Sequence, residues 1–424
     1  MSRPVITVRR WLFSVLAVSV SALAASVSIA ASASESAPEF TIDFELAVEA
    51  IFFPQSPQFT GQLNSTQLSS VAEAELYLGF GEGKHEIVAQ PFYRYDGADD
   101  ARSHFDLREG FYRYTSDNDF SILVGRSKVF WGTTESVHLV DIINQTDLVE
   151  DSDEEDKLGQ SMLSVTLSKP WGNLELFVLP EFRERTFPGV AGRGRFELPV
   201  SRRSVFSREG GRAAIDLAIR YLVYVGNWDV GVSVFHGTSR EPRFGANSDS
   251  IRLSAIYDEI TQYGVELQRT AGALLLKNES IYRKTDLDEF FATATGFEYT
   301  LYDLLGFGWD VGLVSEYLYD NRADELRSGT FDFETPTPVT AFQNDVFGGF
   351  RVALNDTQDT SLLVGLVTDL DDYSKVAFLE FETLLGQSWL LDLEATWFTA
   401  IAPGNLLEST SRDSGITVNL TRHF

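Results

Sequence analysis

The chain has 424 residues, with 62 acidic against 34 basic side chains and a formal net charge of -28. This charge disfavours nucleic acid as a partner, because phosphate binding requires basic patches. The chain contains no cysteine and so cannot be held by disulfides, and after residue 33 no run of 18 apolar residues offers a transmembrane helix.

The first residues have the pattern of an export signal. Arg3, Arg9 and Arg10 precede an uncharged, mostly apolar stretch over 11–30, and the small residues Ala31-Ser32-Ala33 follow it. This order is typical of a secretory signal peptide with its cleavage site. We predict a signal peptide over 1–33 and a mature chain over 34–424, with a retained transmembrane anchor as the alternative. An exported chain without disulfides needs another source of stability, and a closed barrel is one.

Segments in which apolar and polar residues alternate dominate the mature chain. Over 42–53, apolar side chains occupy every second position and acidic side chains stand between them. The closing segments 388–399 and 415–424 repeat the pattern. Alternation of this kind predicts strands with one apolar and one polar face. A length of about ten residues suits a strand that crosses a bilayer at a tilt.

We predict 18 strands, with 16 as the alternative count. In chain order they span 42–53, 68–80, 84–95, 104–115, 119–127, 162–170, 173–181, 212–224, 228–237, 260–270, 273–284, 290–303, 308–320, 345–354, 359–369, 375–385, 388–399 and 415–424. Aromatic side chains crowd the strand ends, as they do at a membrane–water boundary: Phe52, Phe53, Tyr93, Tyr95, Tyr112, Tyr114, Tyr317, Tyr319, Trp389 and Trp397.

The connections between the predicted strands support a closed topology. With the mature N-terminus in the periplasm, every tight turn falls on the periplasmic side and every long loop falls outside. Residues 250–258 also alternate, but as a spanning strand they would move the long stretch 321–342 to the periplasmic side. We therefore place them at the top of an external loop. The expected fold is all-β: a single antiparallel transmembrane β-barrel.

Short motifs give the chain a family resemblance. It ends in Phe424, which closes an alternating segment, and in this it resembles Gram-negative outer-membrane β-barrel proteins. In that class a C-terminal aromatic residue is the signal read by the barrel-assembly machinery. Gly125-Arg126, Trp131-Gly132 and the segment 316–320 resemble the porin and alginate-export type of barrel, in an uncharacterised proteobacterial group. The resemblance implies an outer-membrane location, contact with lipid and lipopolysaccharide, and the option of a homo-oligomer.

The polar faces of the predicted strands carry many acids, and these cluster on strands that closure makes neighbours. Carboxylates placed so close together repel one another, so they require water, counter-ions or basic partners. We expect a wet lumen with an acidic wall that prefers cations, and the alternative is a plugged barrel in which loop arginines pair with these acids. The wall consists of Asp43, Glu45, Glu49, Glu73, Glu75, Glu380, Glu382, Asp392 and Glu394.

Two long connections of opposite charge are candidates for a pore constriction. The segment 128–161 carries apolar residues between positions 137 and 143, which predict that it folds inward, and its acids include Asp147, Glu150, Asp151 and Asp153. The segment 181–212 is basic and contains Arg183, Arg185, Arg193, Arg195, Arg202 and Arg203. An arginine row facing an acidic loop would set up a transverse field across the pore. Two alternatives are pairing of the two loops into a plug and binding of the arginines to lipopolysaccharide phosphates.

Catalytic and metal-binding signals in the sequence are weak. His138 lies near Ser136 and Asp141, but no G-x-S-x-G or H-E-x-x-H motif occurs. The alternating acids Asp151, Asp153 and Glu155 lack the glycine and the terminal glutamate of the helical calcium-binding loop, so a solvated acidic surface is the preferred interpretation. We predict no enzyme activity, no cofactor and no metal.

The sequence therefore predicts an outer-membrane channel for passive diffusion of small polar or charged solutes. We expect it to prefer cations, with the loops 128–161 and 181–212 constricting the pore. The alternative function is a closed or plugged barrel that handles hydrophobic or lipid cargo or serves an export pathway.

Overall fold

The computed structural model describes residues 38–151, 154–246, 251–322, 337–338 and 342–424. The predicted signal peptide, 1–33, lies outside the described residues, as does Asp153. The predicted fold class is confirmed, because 18 long strands form one sheet in which every pairing is between antiparallel neighbours. None of the helices in the described part of the chain is long and apolar enough to cross a bilayer.

The barrel strands lie close to the predicted ranges. They are β1 (Glu39–Phe52), β2 (Thr66–Phe80), β3 (His85–Asp96), β4 (His104–Ser116), β5 (Phe120–Ser127), β6 (Gln160–Lys169), β7 (Gly172–Leu179), β8 (Asp216–Val225), β9 (Trp228–Thr238), β10 (Glu259–Ala271), β11 (Leu274–Lys284), β12 (Glu289–Leu301), β13 (Asp310–Asp320), β14 (Asn344–Ala353), β15 (Ser361–Asp369), β16 (Lys375–Leu385), β17 (Trp389–Phe398) and β18 (Gly415–His423).

Pairing of the last strand with the first closes the barrel. Each strand pairs with the next in the chain, and β18 pairs with β1 over the register from Glu45–His423 to Phe52–Ile416. The backbone N–H of Phe424 continues this seam by donating to the carbonyl of Phe44 at 2.9 Å. Closure removes the two edges that an open sheet would leave unpaired. The role of Phe424 as an assembly signal stays a prediction.

The outward face of the barrel is apolar and exposed. On β1, Ile42, Leu46 and Val48 are among the exposed large apolar side chains. Exposed aromatic residues form a band at each end of the strands, as at the two interfaces of a membrane. One band includes Trp171, Tyr224, Trp228, Tyr302, Trp309 and Trp389, and the other includes Tyr93, Tyr95, Phe105, Tyr317, Tyr319 and Trp397.

The two ends of the barrel differ in their connections. We call the end that carries the short β2–β3, β6–β7 and β8–β9 turns the turn end, and the opposite end the loop end. The described part of the ambiguous segment 250–258, residues 251–258, lies at the loop end, as predicted. There Leu253–Tyr257 pairs with Arg243–Ala246 and Val205–Phe206 in a small sheet outside the barrel.

Candidate functional site: the lumen and its loops

The described part of the connection from β5 to β6, residues 128–151 and 154–159, folds into the barrel, and we call it the inserted loop. Trp131, Val140, Ile142 and Ile143 of this loop are buried. Removing apolar surface from water stabilises the inward position by roughly 25 cal/mol per Å². The wall residues that share the apolar cluster are Phe111, Leu123, Met162, Phe177, Leu179, Ala218, Phe235, Ile260, Ile281, Phe290 and Ala292.

Two buried carboxylates of the wall hold the backbone of the inserted loop. Glu279 on β11 accepts hydrogen bonds from the backbone N–H groups of Thr133 at 2.6 Å and Thr134 at 2.9 Å. Glu316 on β13 accepts from the N–H groups of Glu135 at 2.7 Å and Ser136 at 2.8 Å. A buried carboxylate is costly unless such donors compensate it, so these contacts fix both the acids and the loop. These two acids therefore anchor a loop rather than line open water.

His138 of the inserted loop lies between two carboxylates. Its Nε2 is 3.8 Å from Glu155 Oε1, and its Nδ1 is 3.8 Å from Glu279 Oε1. Burial lowers the pKa of His138, but the two carboxylates raise it by more, to about 9. The Ser136 hydroxyl donates to Glu316 at 2.5 Å. Because Ser136 and His138 bind different partners, the two do not form a nucleophile–base pair.

The predicted acidic wall forms on neighbouring strands. Cross-strand pairing sets Glu380 opposite Glu394 and Glu382 opposite Asp392, on β16 and β17. It also pairs the acids of β1 with those of β2: Asp43 with Glu75 and Glu45 with Glu73. These positions alternate with exposed apolar residues, so their side chains face the lumen.

Part of this wall is neutralised by arginines of β3 and of the β3–β4 connection. Glu49 is buried and accepts from Arg94 at 3.0 Å and also from Arg102. Arg94 and Arg108 both extend to Glu150 of the inserted loop, with Nη–Oε2 distances of 2.7 and 3.1 Å. This cluster ties β1, β3, β4 and the inserted loop together. Glu49 and Glu150 therefore act as internal partners and not as free pore charges.

Among the described residues, His104, Asp147 and Glu150 could offer ligand atoms to one ion, because these atoms lie within 4.8 Å of one another. Arg94 and Arg108, however, already bind Glu150. Asp147 accepts from the Thr186 hydroxyl at 2.6 Å. The charge of Glu150 is thus already compensated by two guanidinium groups, and the arrangement favours ion pairing over metal binding.

Four acids of the wall border open space, whereas Glu73 pairs with Arg108 at 3.5 Å and Glu45 with His423 at 2.9 Å. Glu380, Glu382, Asp392 and Glu394 line a cavity of about 220 Å³ near the turn end. A second cavity of about 940 Å³ extends from Glu380 and Glu394 towards the loop end. We call the two cavities together the open lane. The lane follows β14–β17 near the turn end, and towards the loop end it widens to reach β11–β13, β18 and β1.

Acids of the inserted loop face the lane from the other side. Asp151, Glu154 and Glu155 line the larger cavity, and Glu135 lies at the tip of the loop. Asp147, in contrast, is buried among side-chain partners. Of the acids that we predicted at a constriction, Asp151 and Glu150 therefore reach the lane, and Glu150 does so with its charge paired.

The arginine-rich connection from β7 to β8, residues 180–215, does not form the expected row. Arg183 pairs with Asp106 at 2.9 Å, and Arg185 pairs with Glu154 at 3.3 Å. Arg202 and Arg203 are exposed at the loop end. The expectation of a basic row facing the acidic loop is therefore wrong, because a guanidinium that leaves water needs an acid or several carbonyls as partners.

Two of these arginines fasten the β7–β8 connection across the mouth, and we call this segment the mouth strap. Arg193 Nε is 2.5 Å from Asp413 Oδ1 in the β17–β18 connection, and its Nη1 donates to the carbonyls of Leu63 and Asn64 at 3.2 Å. Arg195 donates to the Thr60 carbonyl at 3.0 Å. The strap thereby connects β7 to loops on the far side of the barrel.

An apolar cluster at the loop end supports the strap. It contains Phe182 from the base of the strap and Phe244, Leu253 and Tyr257 from the small external sheet. Phe187, Phe196 and Leu198 of the strap pack against this cluster. The strap is therefore a packed structure with its own core, and it forms part of the roof of the larger cavity through Arg193 and Phe196.

Comparisons with known proteins give a fold and no family. No protein-family model and no curated protein matches the sequence. A BenF-like porin from Pseudomonas fluorescens aligns over 91% of this chain and 98% of its own, with a TM-score of 0.52 and 9% identity. OccK3 (OpdO) of Pseudomonas aeruginosa aligns over 91% and 96%, with a TM-score of 0.52 and 9% identity.

A third solved structure of the same fold has a different described role. Wzi, an Escherichia coli outer-membrane protein involved in group 1 capsule assembly and described as a carbohydrate-binding β-barrel, aligns over 89% of this chain and 83% of its own. Its TM-score is 0.51 and its identity is 11%. The chain thus has the barrel fold of outer-membrane porins, and its own lumen must indicate what it does.

Proposed function

We propose that the chain is an outer-membrane channel through which small polar solutes diffuse passively, with a preference for cations. The observation that supports this most directly is the open lane, which has acids on both sides. Glu380 and Glu394 stand on the wall, and Asp151 and Glu155 stand on the inserted loop. Walls with an excess of one sign of charge around a narrow aqueous path raise the local concentration of counter-ions.

The pairing of the arginines strengthens the proposal. Arg94 and Arg102 neutralise Glu49, and Arg193 is held by Asp413. The acids that these three arginines compensate lie away from Glu380, Glu382 and Asp392. The charge that a solute meets along β16 and β17 is therefore mainly negative.

The fold also supports the proposed location and orientation. The exposed apolar belt and its two aromatic bands suit a bilayer, and in transmembrane barrels short turns lie on the periplasmic side. We therefore propose that the turn end faces the periplasm and that the mouth strap faces outward. Outer-membrane lipid, lipopolysaccharide and the assembly machinery remain the proposed partners.

The test is the double substitution Glu380→Gln and Glu394→Gln in refolded protein in planar bilayers. Removing two negative charges from one level of the lane should lower the cation-to-anion permeability ratio by about twofold or more. Reversal potentials in a salt gradient measure this ratio. The matched control is Asp286→Asn, since Asp286 is an exposed acid in the β11–β12 connection and lies outside the lane. Equal ratios in wild type and double variant would contradict the proposed role of the wall.

The second candidate function is a closed barrel that handles cargo, and the mouth strap favours it. Arg193 is nearly fully buried between three loops, so the strap restricts entry from the loop end. If the strap is the main barrier, Asp413→Asn should raise conductance severalfold, because Arg193 would lose its buried counter-charge. Arg212→Gln, which breaks an exposed contact with Glu184 in the same strap, is the control. Wild-type channels that conduct well and do not respond to Asp413→Asn would exclude this candidate.

A further inference from the structure

One basic side chain lies at the junction of the two cavities. Arg351 on β14 lines both of them, as do Leu363, Glu380 and Glu394. The register pairs Arg351 with Leu363, Leu363 with Glu380, and Glu380 with Glu394. These four residues therefore form one row across the consecutive strands β14–β17. A solute that moves from one cavity to the other must pass this row.

Arg351 also connects the wall to the inserted loop across the lane. Its Nη2 forms an ion pair with Glu135 Oε1. Glu135 is fixed on the other side, because its backbone N–H donates to Glu316 at 2.7 Å and its Oε2 is 3.5 Å from Lys277 Nζ. The ion pair is thus anchored at both ends, and it limits the width of the lane at the junction.

The charge of Arg351 remains accessible to solutes. Its side chain is 44% exposed, whereas that of Arg193 in the mouth strap is 2% exposed. Among the residues that the structure describes, Arg351 is the one basic side chain that lines the cavity at the turn end. A single accessible positive charge is therefore surrounded by Glu380, Glu382, Asp392 and Glu394.

We propose that Arg351 is the selectivity-determining residue of the lane, and this inference rests on the proposed channel function. Its positive charge at the junction weakens the cation preference that the surrounding carboxylates create. Its ion pair with Glu135 sets the width of the gap. A charge at the narrowest level of a pore affects permeation more than one in a wide, well-screened region, because screening by salt is less complete there.

Substitutions of Arg351 and Glu135 separate two effects. One is the effect of the positive charge of Arg351, and the other is that of the Arg351–Glu135 ion pair across the lane, which we call the brace. Arg351→Gln removes the positive charge and the brace, and it should raise the cation-to-anion permeability ratio by about twofold or more. Glu135→Gln removes the brace and a negative charge, so it should lower the ratio. Arg351→Lys keeps the charge and should stay near the wild-type ratio. Arg113→Gln is the control, since Arg113 pairs with Glu86 on β3 away from both cavities.

Reversal potentials and open-channel noise of single channels give the result. Opposite shifts for Arg351→Gln and Glu135→Gln, with recovery by Arg351→Lys, support the inference. The inference is overturned if both variants only increase noise and leave the ratio at its wild-type value, because Arg351 would then be a brace alone. A wild-type protein that is folded but forms no conducting steps would refute the channel itself. That outcome differs from one in which the wild type is cation-selective and Arg351→Gln leaves the permeability ratio unchanged, since the latter overturns only the role of Arg351.

Discussion

At the scale of single residues, glutamates that face the lumen have different roles, although their side chains are chemically the same. Glu279 and Glu49 are buried and fully engaged, the first by backbone donors and the second by two arginines. Glu380 and Glu382 are exposed to the lane. The difference follows from what lies opposite each strand, since the inserted loop covers β11 and leaves β16 uncovered. Only the uncovered acids can act on a passing ion.

His138 should make the inserted loop sensitive to alkaline pH. Its pKa is raised to about 9, mainly by Glu155 and Glu279 acting against burial. Because this value lies above the ordinary pKa of histidine, the stabilisation is complete below about pH 6.5 and is lost as pH rises through about 9. It corresponds to on the order of 3 kcal/mol. Hydrogen exchange of residues 133–140 should therefore be slow at pH 7 and fast, relative to the barrel strands, at pH 10.

The histidine substitution tests this assignment. In His138→Gln, loop exchange should already be faster at pH 7, and the difference from wild type should vanish at pH 10. The control is His85→Gln, because His85 contacts the Tyr112 hydroxyl on a barrel strand, away from the inserted loop. If the exchange rate of the loop relative to the barrel strands still changed with pH in the His138→Gln variant, a group other than His138 would be titrating.

At the scale of elements, the inserted loop is positioned by both apolar burial and wall carboxylates. Gly132, with φ at 155°, shows how close the contact is, because a Cβ there would lie 2.9 Å from His138 Nδ1 and 3.0 Å from Glu279 Oε1. Gly264 on β10 similarly leaves room for Val140. Glycine at these positions lets the loop approach the wall, and the anchors then hold it there.

Removing the anchors should release the loop without opening the barrel. In Glu279→Gln with Glu316→Gln, the backbone N–H groups of residues 133–136 lose charged acceptors, each worth about 1.5 to 3 kcal/mol. We expect faster hydrogen exchange over 131–143, with unchanged exchange in β1 and β18. Glu298→Gln is the matched control, because Glu298 lies on the strand between the two anchors and pairs with Lys277 at 3.8 Å. Equal loop protection in the double variant and in the control would refute the anchoring role.

At the scale of the whole molecule, the sequence predicted the barrel well for a physical reason. Each strand separates lipid from the lumen, so its side chains must alternate, and the alternation is visible in any local window. Residues 251–258 alternate without crossing the barrel wall, and the sequence indicates this too, because a further spanning strand would move a long loop to the turn end. The inward course of 128–143 was predictable for a similar reason, since apolar residues in a long loop require burial.

The partners of the charged side chains could not be predicted in the same way. Arg193 and Asp413 are 220 residues apart, and Arg102 and Glu49 are 53 apart. Their pairing depends on the closure of the barrel and on the course of the loops, and neither leaves a local pattern. The expected arginine row failed for this reason, because arginines that are close in sequence separate when Arg185 lies over the inserted loop and Arg193 reaches the β17–β18 connection.

The most direct test of the channel is the reversal potential of the refolded wild-type protein in a planar bilayer under a salt gradient. The acidic lane predicts steady single-channel steps and a reversal potential of the sign expected for cation permeation. Raising the salt concentration on both sides should reduce the preference, because screening shortens the reach of the carboxylates. An anion-selective current, or a folded barrel without any steps, would contradict the acidic lane as the path of permeation.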